Sequence, residues 1–419
     1  MRISTFFSLG FSALLAVTAM ASCSSDTPDP QNQDPENDKN YEYGQTTEVS
    51  DARRQQAIDG FSQFAVNLLN TVDATSKDKN VCVSPVSLNF AFTMLANGAA
   101  GDTQAEILKT LSGGDMTMAE LNTVCRHILD TWTADKEATV KIANSLWHDA
   151  SFFPVRPTFE QKMQEVFDAE IIGVSNLSSL ATMRQINQWI GTATNGLIPS
   201  LLDKPLSAGA AMALINAIYF KSEWQEQFCD ERTDDADFTN SDGTVSKVKT
   251  MHTDLHSAPV SEANGYRSID LLLGGGYKLR VIISANDKSV PRITPQLLKE
   301  LDKNISYHYT FLSLPRFEME LKNEIGELIK ALGIRQAFDE GLADFSPLSP
   351  QSSYVNRVIH GTKFIVNEYG IEAAGTTIIE NATTGIHPDA VWFPVNQPFA
   401  FLLLSSDNNI LFNGYVKHL

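Results

Sequence analysis

The stretch TKFIVNEYGIEAAGTT, residues 362–377, decides the fold of this chain. Its first part, from Thr362 to Glu368, alternates polar and apolar side chains, which predicts a β-strand. Small residues follow at positions 370 and 373–377, and a segment built from Gly, Ala and Thr can enter between existing strands without steric clash. The segment therefore meets the physical requirement for a loop that a β-sheet can accept as a further strand.

Strand periodicity divides this segment into two faces. As a strand, it would place Ile371, Ala373, Gly375, Thr377 and Ile379 on one face, and none of these side chains is charged. Insertion with this face toward the interior would therefore bury no unpaired charge. The candidate hinge consists of Glu368, Gly370, Ile371, Glu372, Ala373, Ala374, Gly375, Thr376 and Thr377.

From about Ile58 to Leu419 the chain resembles the serpins, which are covalent suicide inhibitors of proteases. Seven short stretches carry the resemblance, in the family's order and with compatible spacing. They are VSPVSL (83–88), ANGAAGDT (96–103), ANSLW (143–147), NAIYFKSEW (216–224), LPRF (314–317), ADFS (343–346) and QPF (397–399). The resemblance implies the serpin fold, a single large α+β domain with about nine helices, three β-sheets and an exposed reactive-centre loop at about residues 368–392.

The resemblance also implies a mechanism and a partner. A target endopeptidase would cut the loop, form an acyl bond through its own nucleophile and be trapped as the hinge inserts. Family spacing from Glu368 places the reactive bond at Thr384–Gly385, with candidates from Ala382 to His387 because the loop is about three residues longer than usual. Since no Lys or Arg lies between Glu368 and Lys417, we expect elastase-like or subtilisin-like serine endopeptidases, or cysteine endopeptidases, as targets.

One hinge position departs from the inhibitory pattern. Inhibitory serpins usually have Thr or Ser where this chain has Ile371, and the bulk of Ile is expected to slow the first step of insertion. The alternative function is therefore a non-inhibitory serpin that binds a ligand or acts as a scaffold in the cell envelope. Such a protein would be cut like any substrate and would gain no heat stability.

Four polar residues match a cluster that lies beneath the central strands in serpins: Ser84, Ser87, Asn216 and His360. Buried groups of this kind must be hydrogen-bonded to one another. They can exchange partners when strands separate, so we expect a sheet-opening role.

Two further residues match positions at the base of the loop. Arg316 and Glu368 correspond to an ion pair in relatives, close to Trp224. A partly buried pair is costly to break from one side. We therefore expect the pair to hold the start of the loop in place.

The N-terminus predicts export and anchoring. Arg2 precedes a mostly apolar stretch, residues 5–19, that is too short to be a typical membrane-spanning helix. The following Met20-Ala-Ser-Cys23 resembles a bacterial lipobox, which predicts a lipoprotein signal peptide at residues 1–22 and a lipid on Cys23, as in Bacteroidetes serpins. An ordinary cleaved signal is the alternative. We expect an outer-membrane lipoprotein of the cell envelope, with a periplasmic or a surface orientation.

Composition separates a tether from the folded domain. Residues 23–51 are polar and acidic and cannot bury enough apolar surface to fold, whereas residues 52–419 form the predicted domain. The formal net charge is −18, with 50 acids against 32 bases, which disfavours nucleic acid as a partner. We expect a monomer whose partners are the target endopeptidase and, through Cys23, a membrane.

The sequence contains no catalytic motif of the Gly-x-Ser-x-Gly or HExxH type, so an enzyme is not predicted. His252 and His256 have metal-like spacing, but neither a metal nor any other cofactor is expected. Cys82, Cys125 and Cys229 are predicted to be free thiols, since lone cysteines are usually buried and unpaired. A disulfide between two of them is the alternative in an oxidising compartment.

Apolar spacing also predicts individual helices. Ala57, Phe61, Phe64 and Leu68 recur at helical intervals and predict a helix with one buried face. A second helix is predicted at Thr103–Leu111, with Asp102 as its N-cap. Helices in the first third, followed by mixed strands and helices, favour an α+β domain without repeated βαβ units.

Overall fold

The computed structural model describes residues 44–372 and 389–419. The predicted signal peptide, Cys23 and most of the tether lie outside the described residues. So do the hinge from Ala373 onward and the predicted reactive bond at Thr384–Gly385.

Eight α-helices occur in the described residues, and each of them has a buried face. They are α1 Asp51–Thr75, α2 Pro85–Asn97, α3 Gly101–Ser112, α4 Met118–Thr133, α5 Pro157–Phe167, α6 Leu180–Ala193, α7 Pro295–Lys303 and α8 Gly326–Leu332. None of these helices is long and apolar enough to cross a bilayer.

The helices begin where local chemistry satisfies their free N–H groups. The Ser50 hydroxyl caps α1 by accepting a hydrogen bond from the Arg53 N–H at 3.3 Å. The predicted stripe of α1, including Phe61 and Phe64, is buried. Helix α3 differs from the prediction, because its N-cap is Ala100. Asp102 lies in the first turn instead, where a carboxylate interacts favourably with the helix dipole.

Nine strands form the larger sheet. They are β1 Val81–Val83, β5 Thr233–Thr239, β6 Val245–Ala263, β7 Tyr266–Leu272, β8 Lys278–Ser284, β9 Ser306–Pro315, β13 Val391–Pro394, β14 Phe399–Leu404 and β15 Ile410–Val416. Their order is β1-β15-β14-β8-β7-β6-β9-β13, and β5 pairs with β6 beside this path.

Six strands form the smaller sheet, which carries the candidate site. They are β2 Ala138–Asp149, β3 Glu170–Val174, β4 Met212–Glu223, β10 Phe317–Glu324, β11 Ile359–Asn367 and β12 Gly370–Ile371. Their order is β10-β11-β12-β4-β2-β3. The two-residue strand β12 therefore lies between the long strands β11 and β4.

The α+β class predicted from the sequence is confirmed, with eight α-helices and two hydrogen-bonded sheets in the described residues where about nine and three were predicted. The number of sheets differs because β6 is 19 residues long. Its first part pairs with β5 and β9, and its last part pairs with β7. One continuous strand thus joins two groups of strands that would otherwise count as separate sheets.

The two sheets meet through aromatic side chains. Phe364 of β11 stacks on Phe401 of β14 with ring centroids 4.8 Å apart. The Phe412 ring of β15 lies 5.4 Å from the Phe364 ring. Helix α2 packs against both β4 and β15. The core therefore lies directly beneath β4 and β11, the strands on either side of the hinge.

The last residues of the predicted tether lie against the folded domain. The Gly44 N–H donates a hydrogen bond to Asn97 Oδ1 at 2.9 Å, and Asn122 Nδ2 donates to the Gln45 carbonyl at 3.0 Å. The Asn97 and Asn122 side chains are buried and bond to each other. Residues 44 and 45 thus complete the hydrogen bonding of two buried amides, which composition alone did not predict.

Candidate functional site

A buried carboxylate fixes the base of the loop. Glu368, at the end of β11, is 1% exposed. Its Oε1 accepts hydrogen bonds from Arg316 Nε at 2.5 Å and from the Thr233 hydroxyl at 2.6 Å. The ion pair expected between Arg316 and Glu368 is thus present, while Thr233 is a partner that the sequence did not indicate.

Trp224 holds the same turn from the other side. Its indole Nε1 donates to the Asn367 carbonyl at 2.8 Å, and its backbone N–H donates to the Tyr369 carbonyl at 3.0 Å. The buried ring meets Phe228 edge to face at 6.1 Å. These bonds fix the direction in which the chain leaves β11.

The first two hinge residues are already part of the sheet. Gly370 and Ile371 form β12, which pairs antiparallel with both β11 and β4. Ile371 is 2% exposed. Its bulk was expected to hinder the first step of insertion, yet in this structure the side chain occupies its place in the core.

Glu372 follows immediately and lies in a less favourable setting. Its backbone has φ 47°, a conformation that residues other than glycine rarely adopt. Burial raises the pKa of its carboxyl to about 7, while Tyr219, Lys221 and Lys363 act to lower it. Among the described residues, its Oε2 has no hydrogen-bond partner.

Beyond β12 the two flanking strands are separated. Among the described residues, β4 and β11 share no hydrogen-bond ladder, since β12 alone lies between them in the sheet. A cavity of about 520 Å³ is lined by the first half of β4, the start of β11 and the face of α2 that carries Ser87, Ala91 and Leu95. Among the described residues, the smaller sheet thus has an open strand position between β4 and β11, in line with the hinge.

The predicted sheet-opening cluster is divided across this cavity. On the β11 side, His360 Nε2 accepts a hydrogen bond from the Ser84 N–H at 3.0 Å. On the β4 side, Asn216 Nδ2 donates to Asn144 Oδ1 at 2.5 Å. Ser87 lines the cavity together with Asn216 and His360. Three of the four residues line this cavity and Ser84 bonds to His360, but the four do not form the single mutual network that was expected.

His360 is neutral at ordinary pH. Complete burial lowers the pKa of its imidazole to about 4. A neutral ring with Nε2 accepting from Ser84 can still donate through its other nitrogen.

The sequence missed Asn144 as a partner in this cluster. It lies within the stretch ANSLW, residues 143–147, but only the pairing of β2 with β4 places it opposite Asn216. Thr233 was missed for the same reason, since it lies far from Glu368 in the sequence and no local pattern marks it.

The remaining predicted sites are resolved as follows. In the part of the chain that the structure describes, Cys82, Cys125 and Cys229 are free, and burial raises the pKa of the Cys82 thiol to about 12. No group of three or more His, Cys, Asp or Glu side chains could hold a metal ion within residues 44–372 and 389–419. His252 bonds to Ser313.

Comparison with known proteins defines the family. The family model described as Serpin (serine protease inhibitor) matches residues 59–419. The chain belongs to the serpin family. Iripin-1 of Ixodes ricinus is 30% identical to this serpin over 375 residues, which cover 85% of this chain and 93% of that protein. The family is one of protease inhibitors rather than of enzymes, and its inhibitory members bind target proteases.

Solved structures agree with this fold. The thermophilic serpin Tengpin in its native state matches this serpin with a TM-score of 0.81 and 26% identity, covering 90% of this chain and 97% of that chain. In its latent state the same protein matches with a TM-score of 0.74. Human thyroxine-binding globulin matches with a TM-score of 0.79 at 23% identity, covering 87% and 99% of the two chains, which shows a shared fold.

Proposed function

We propose that this serpin is an irreversible inhibitor of endopeptidases that traps its target by inserting the hinge into the smaller sheet. One observation carries the proposal. Among the described residues, a strand position is open between β4 and β11, and Gly370 and Ile371 already occupy it where these two strands end. A cut in the loop would release residues 373–379 to continue this strand.

The register of β12 specifies where the inserted residues would lie. Gly370 pairs with Glu223 on β4, and Ile371 pairs with Val366 on β11. Since β12 runs antiparallel to both strands, each further hinge residue pairs one position back along each strand. Continued in this way, Thr377 would lie between Asn216 and His360. Its hydroxyl would then reach the two halves of the divided cluster, which gives that cluster a role in insertion.

Insertion would be favourable for two reasons. Successive inserted residues could bond alternately to β4 and to β11, each through both its N–H and its C=O, and each net hydrogen bond contributes about 1 kcal/mol. Ala373, Gly375 and Thr377 would face the cavity with Ile371, and none of them is charged. The protein would supply the bait and the stored free energy, while the protease supplies the nucleophile that forms the acyl bond.

The composition of the loop favours proteases with small or uncharged specificity. Ala382, Thr383, Thr384 and Gly385 offer no cation for an acidic specificity pocket. Elastase-like and subtilisin-like serine endopeptidases are therefore the proposed targets, with papain-like cysteine endopeptidases as a second class. Thr384–Gly385 remains the proposed reactive bond.

The deciding experiment incubates the protein with pancreatic elastase, subtilisin or papain and follows the products on denaturing gels. We expect a band at the summed mass that survives boiling, together with a released C-terminal peptide whose first residue locates the cut. If every protease only nicks the loop, Ile371→Thr is the matched rescue variant. Cleavage without a complex in both forms would favour the non-inhibitory ligand-binding or scaffold function.

We further propose that Cys23 anchors this serpin in the cell envelope. The support is the lipobox-like sequence before Cys23 and the polar tether that follows it. Two or more acyl chains would give stable membrane attachment. Wild type should partition with membranes and Cys23→Ala should not. Processing that is insensitive to globomycin, or membrane partitioning of the Cys23→Ala protein, would refute the anchor.

A further inference from the structure

A row of aromatic rings crosses the edge of the larger sheet, with exposed rings at Trp392, Tyr307 and His256 and half-buried rings at Tyr309 and Phe311 between them. Ring centroids lie 5.7 Å apart for His256 and Tyr309, 5.4 Å for Tyr309 and Phe311, and 4.6 Å for Phe311 and Trp392. Trp392 and Tyr307 are the two most exposed large hydrophobic side chains among the described residues, at 69% and 68%. We call this set the aromatic row: His256 on β6, Tyr307, Tyr309 and Phe311 on β9, and Trp392 on β13.

The strand register explains why the rings share one face. Phe311 pairs with Trp392 on β13, and on its other side it pairs with Asp254 on β6. Along β9, the ring-bearing residues alternate with Thr310 and Leu312, which are buried. The exposed rings are therefore a consequence of the pleat, whose opposite face supplies the core.

The backbone beneath Trp392 is held firmly. Arg267 donates a hydrogen bond to the Trp392 carbonyl at 3.0 Å, and its guanidinium lies 5.0 Å from the centroid of the Phe393 ring. Phe393 itself is fully buried. A large ring presented from a fixed strand loses little conformational entropy when it is covered by a partner.

Such a surface has the composition of a binding site. Scattered exposed apolar residues are ordinary, but neighbouring exposed rings mark interaction sites. Trp and Tyr are also the side chains that most often dominate binding energy at protein interfaces. Among the described residues, Trp392 and Tyr307 leave about two thirds of their side-chain surface uncovered.

We propose that the aromatic row is a docking surface for the target protease, beside the bait loop. The inference rests on the proposed inhibitory function. Strand β13 begins at Val391 and is the direct continuation of the loop, so the loop must end at the row. The proposed reactive bond at Thr384–Gly385 lies eight residues before Trp392. That is at most about 29 Å of extended chain.

A protease bound to the loop would reach this surface. A domain of about 220 residues has a radius of gyration of roughly 17 Å, so it extends well beyond its own active-site cleft. The row would contact the side of the cleft that receives residues following the cut. Glu226 lies 3.4 Å from His256, and Asp254 lies opposite Phe311. Because Asp254 is already paired with Arg232 at 2.9 Å, the matching protease surface would be mainly an apolar patch.

Association kinetics test the surface. The full-length chain is mixed with pancreatic elastase or subtilisin, and the second-order rate constant of boil-resistant complex formation is measured. Trp392→Ala should lower this constant about 10-fold or more, and Tyr307→Ala about 3-fold. Leu342→Ala is the matched control, since it removes an exposed hydrophobic side chain outside the row. It should stay within about twofold of wild type.

Hydroxyl-radical footprinting supplies a second readout that does not depend on trapping. The full-length chain is bound to each protease with its catalytic serine replaced by alanine, and oxidation of Trp392 and Tyr307 is compared with oxidation of Tyr354, an exposed tyrosine outside the row. Protection of Trp392 and Tyr307 alone is expected.

The outcomes separate the two proposals. Complex formation that is unaffected by Trp392→Ala and Tyr307→Ala, without protection, overturns the aromatic row and leaves the inhibitory function intact. Protection of Trp392 without any boil-resistant complex, together with slower loop cleavage in Trp392→Ala, supports the row and overturns trapping. If neither a boil-resistant complex nor protection of Trp392 and Tyr307 is found with either protease, the inhibitory function and the docking surface are both overturned.

Discussion

The Gly370 backbone passes so close to Ser222 that a Cβ atom at position 370 would lie 2.1 Å from the Ser222 carbonyl oxygen. Gly370 also has φ 152°, in the region that favours glycine. Both constraints arise because β12 is wedged between two long strands. A single missing side chain therefore allows the hinge to begin its insertion before any cut is made.

Replacing Gly370 with alanine should expel the hinge from the sheet. We expect Gly370→Ala to lower the free energy of unfolding by about 1–3 kcal/mol, as overpacking does in tightly packed interiors. Hydrogen exchange at the Ile371 amide should accelerate at the same time. Gly243→Ala is the control, because Gly243 has φ 83° but open space around it. Equal losses of stability in the two variants would show that the contact with Ser222 does not matter.

Glu372 should make stability depend on pH. Burial raises the pKa of this carboxyl from 4.5 to about 7, so the folded state holds a proton that the unfolded state releases. The contribution of Glu372 to the free energy of unfolding is therefore most favourable below pH 4.5 and is lost as the pH rises toward 7. We expect the melting temperature of wild type to fall across this range relative to that of Glu372→Gln.

The matched control for Glu372 is an exposed carboxylate. Glu327 is 85% exposed on helix α8, and Glu327→Gln should retain the pH profile of wild type. A profile for Glu372→Gln that is parallel to wild type between pH 4.5 and 7 would contradict the assigned burial of Glu372.

The ion pair at the base of the loop should respond differently to changes on its two sides. Arg316 is 44% exposed whereas Glu368 is 1% exposed. Removing the cation by Arg316→Ala therefore strands a buried carboxylate with only Thr233, and we expect a loss of about 2 kcal/mol, below the range for fully buried pairs. Glu368→Gln should cost less, because a neutral amide can still bond to Thr233. Urea unfolding of both variants measures the difference, and a larger loss in Glu368→Gln would refute this order.

Charge reversal at the same position should open the sheet. Glu368→Lys places a cation beside Arg316, and we expect it to release the hinge and promote loop–sheet polymers on mild heating. Native gels after heating report the polymers. Glu327→Lys, which makes the same change on an exposed helix, is the control. A polymer yield that matches wild type would refute the predicted role of the pair.

Residues 44 and 45 should stabilise the domain although they belong to the predicted tether. A chain that begins at residue 46 leaves Asn97 and Asn122 with unmet hydrogen-bonding capacity in a buried setting, which costs about 1–3 kcal/mol. A chain that begins at residue 44 retains both contacts and is the matched control. The melting temperatures of these two chains should differ. Identical values would show that the contacts are replaced by water without cost.

Much of the candidate site could be predicted because its signals are local. The alternation before Glu368 and the small residues after it follow from short stretches of sequence, whereas the pairing partner Arg316 was expected from the resemblance to serpins that LPRF, residues 314–317, helps to carry. The bulk of Ile371 was expected to hinder insertion, because its side-chain volume is visible in the sequence while the space available to it is not. That space is created by β4, β11 and the core beneath them.

Other features depend on long-range spacing and could not be predicted. His360 and Asn216 occupy the same level of the sheet, but one strand width separates them, so each bonds to a different neighbour. The length of β6, which joins two groups of strands, is likewise set by pairing with β5, β7 and β9. A local pattern cannot reveal whether two strands with the correct residues are adjacent or one position apart.

The position of Gly370 and Ile371 in the sheet affects how fast the hinge could insert. Starting a new strand between two others is the slow event in forming a sheet, since ordering the first residues gains few bonds. In the proposed mechanism that event precedes the arrival of a protease, so a cut would need only to extend a strand that has already begun. The outcome would depend on whether insertion is faster than hydrolysis of the acyl bond. The rate of insertion would then be set by how fast Glu372, the next residue after β12, enters the sheet.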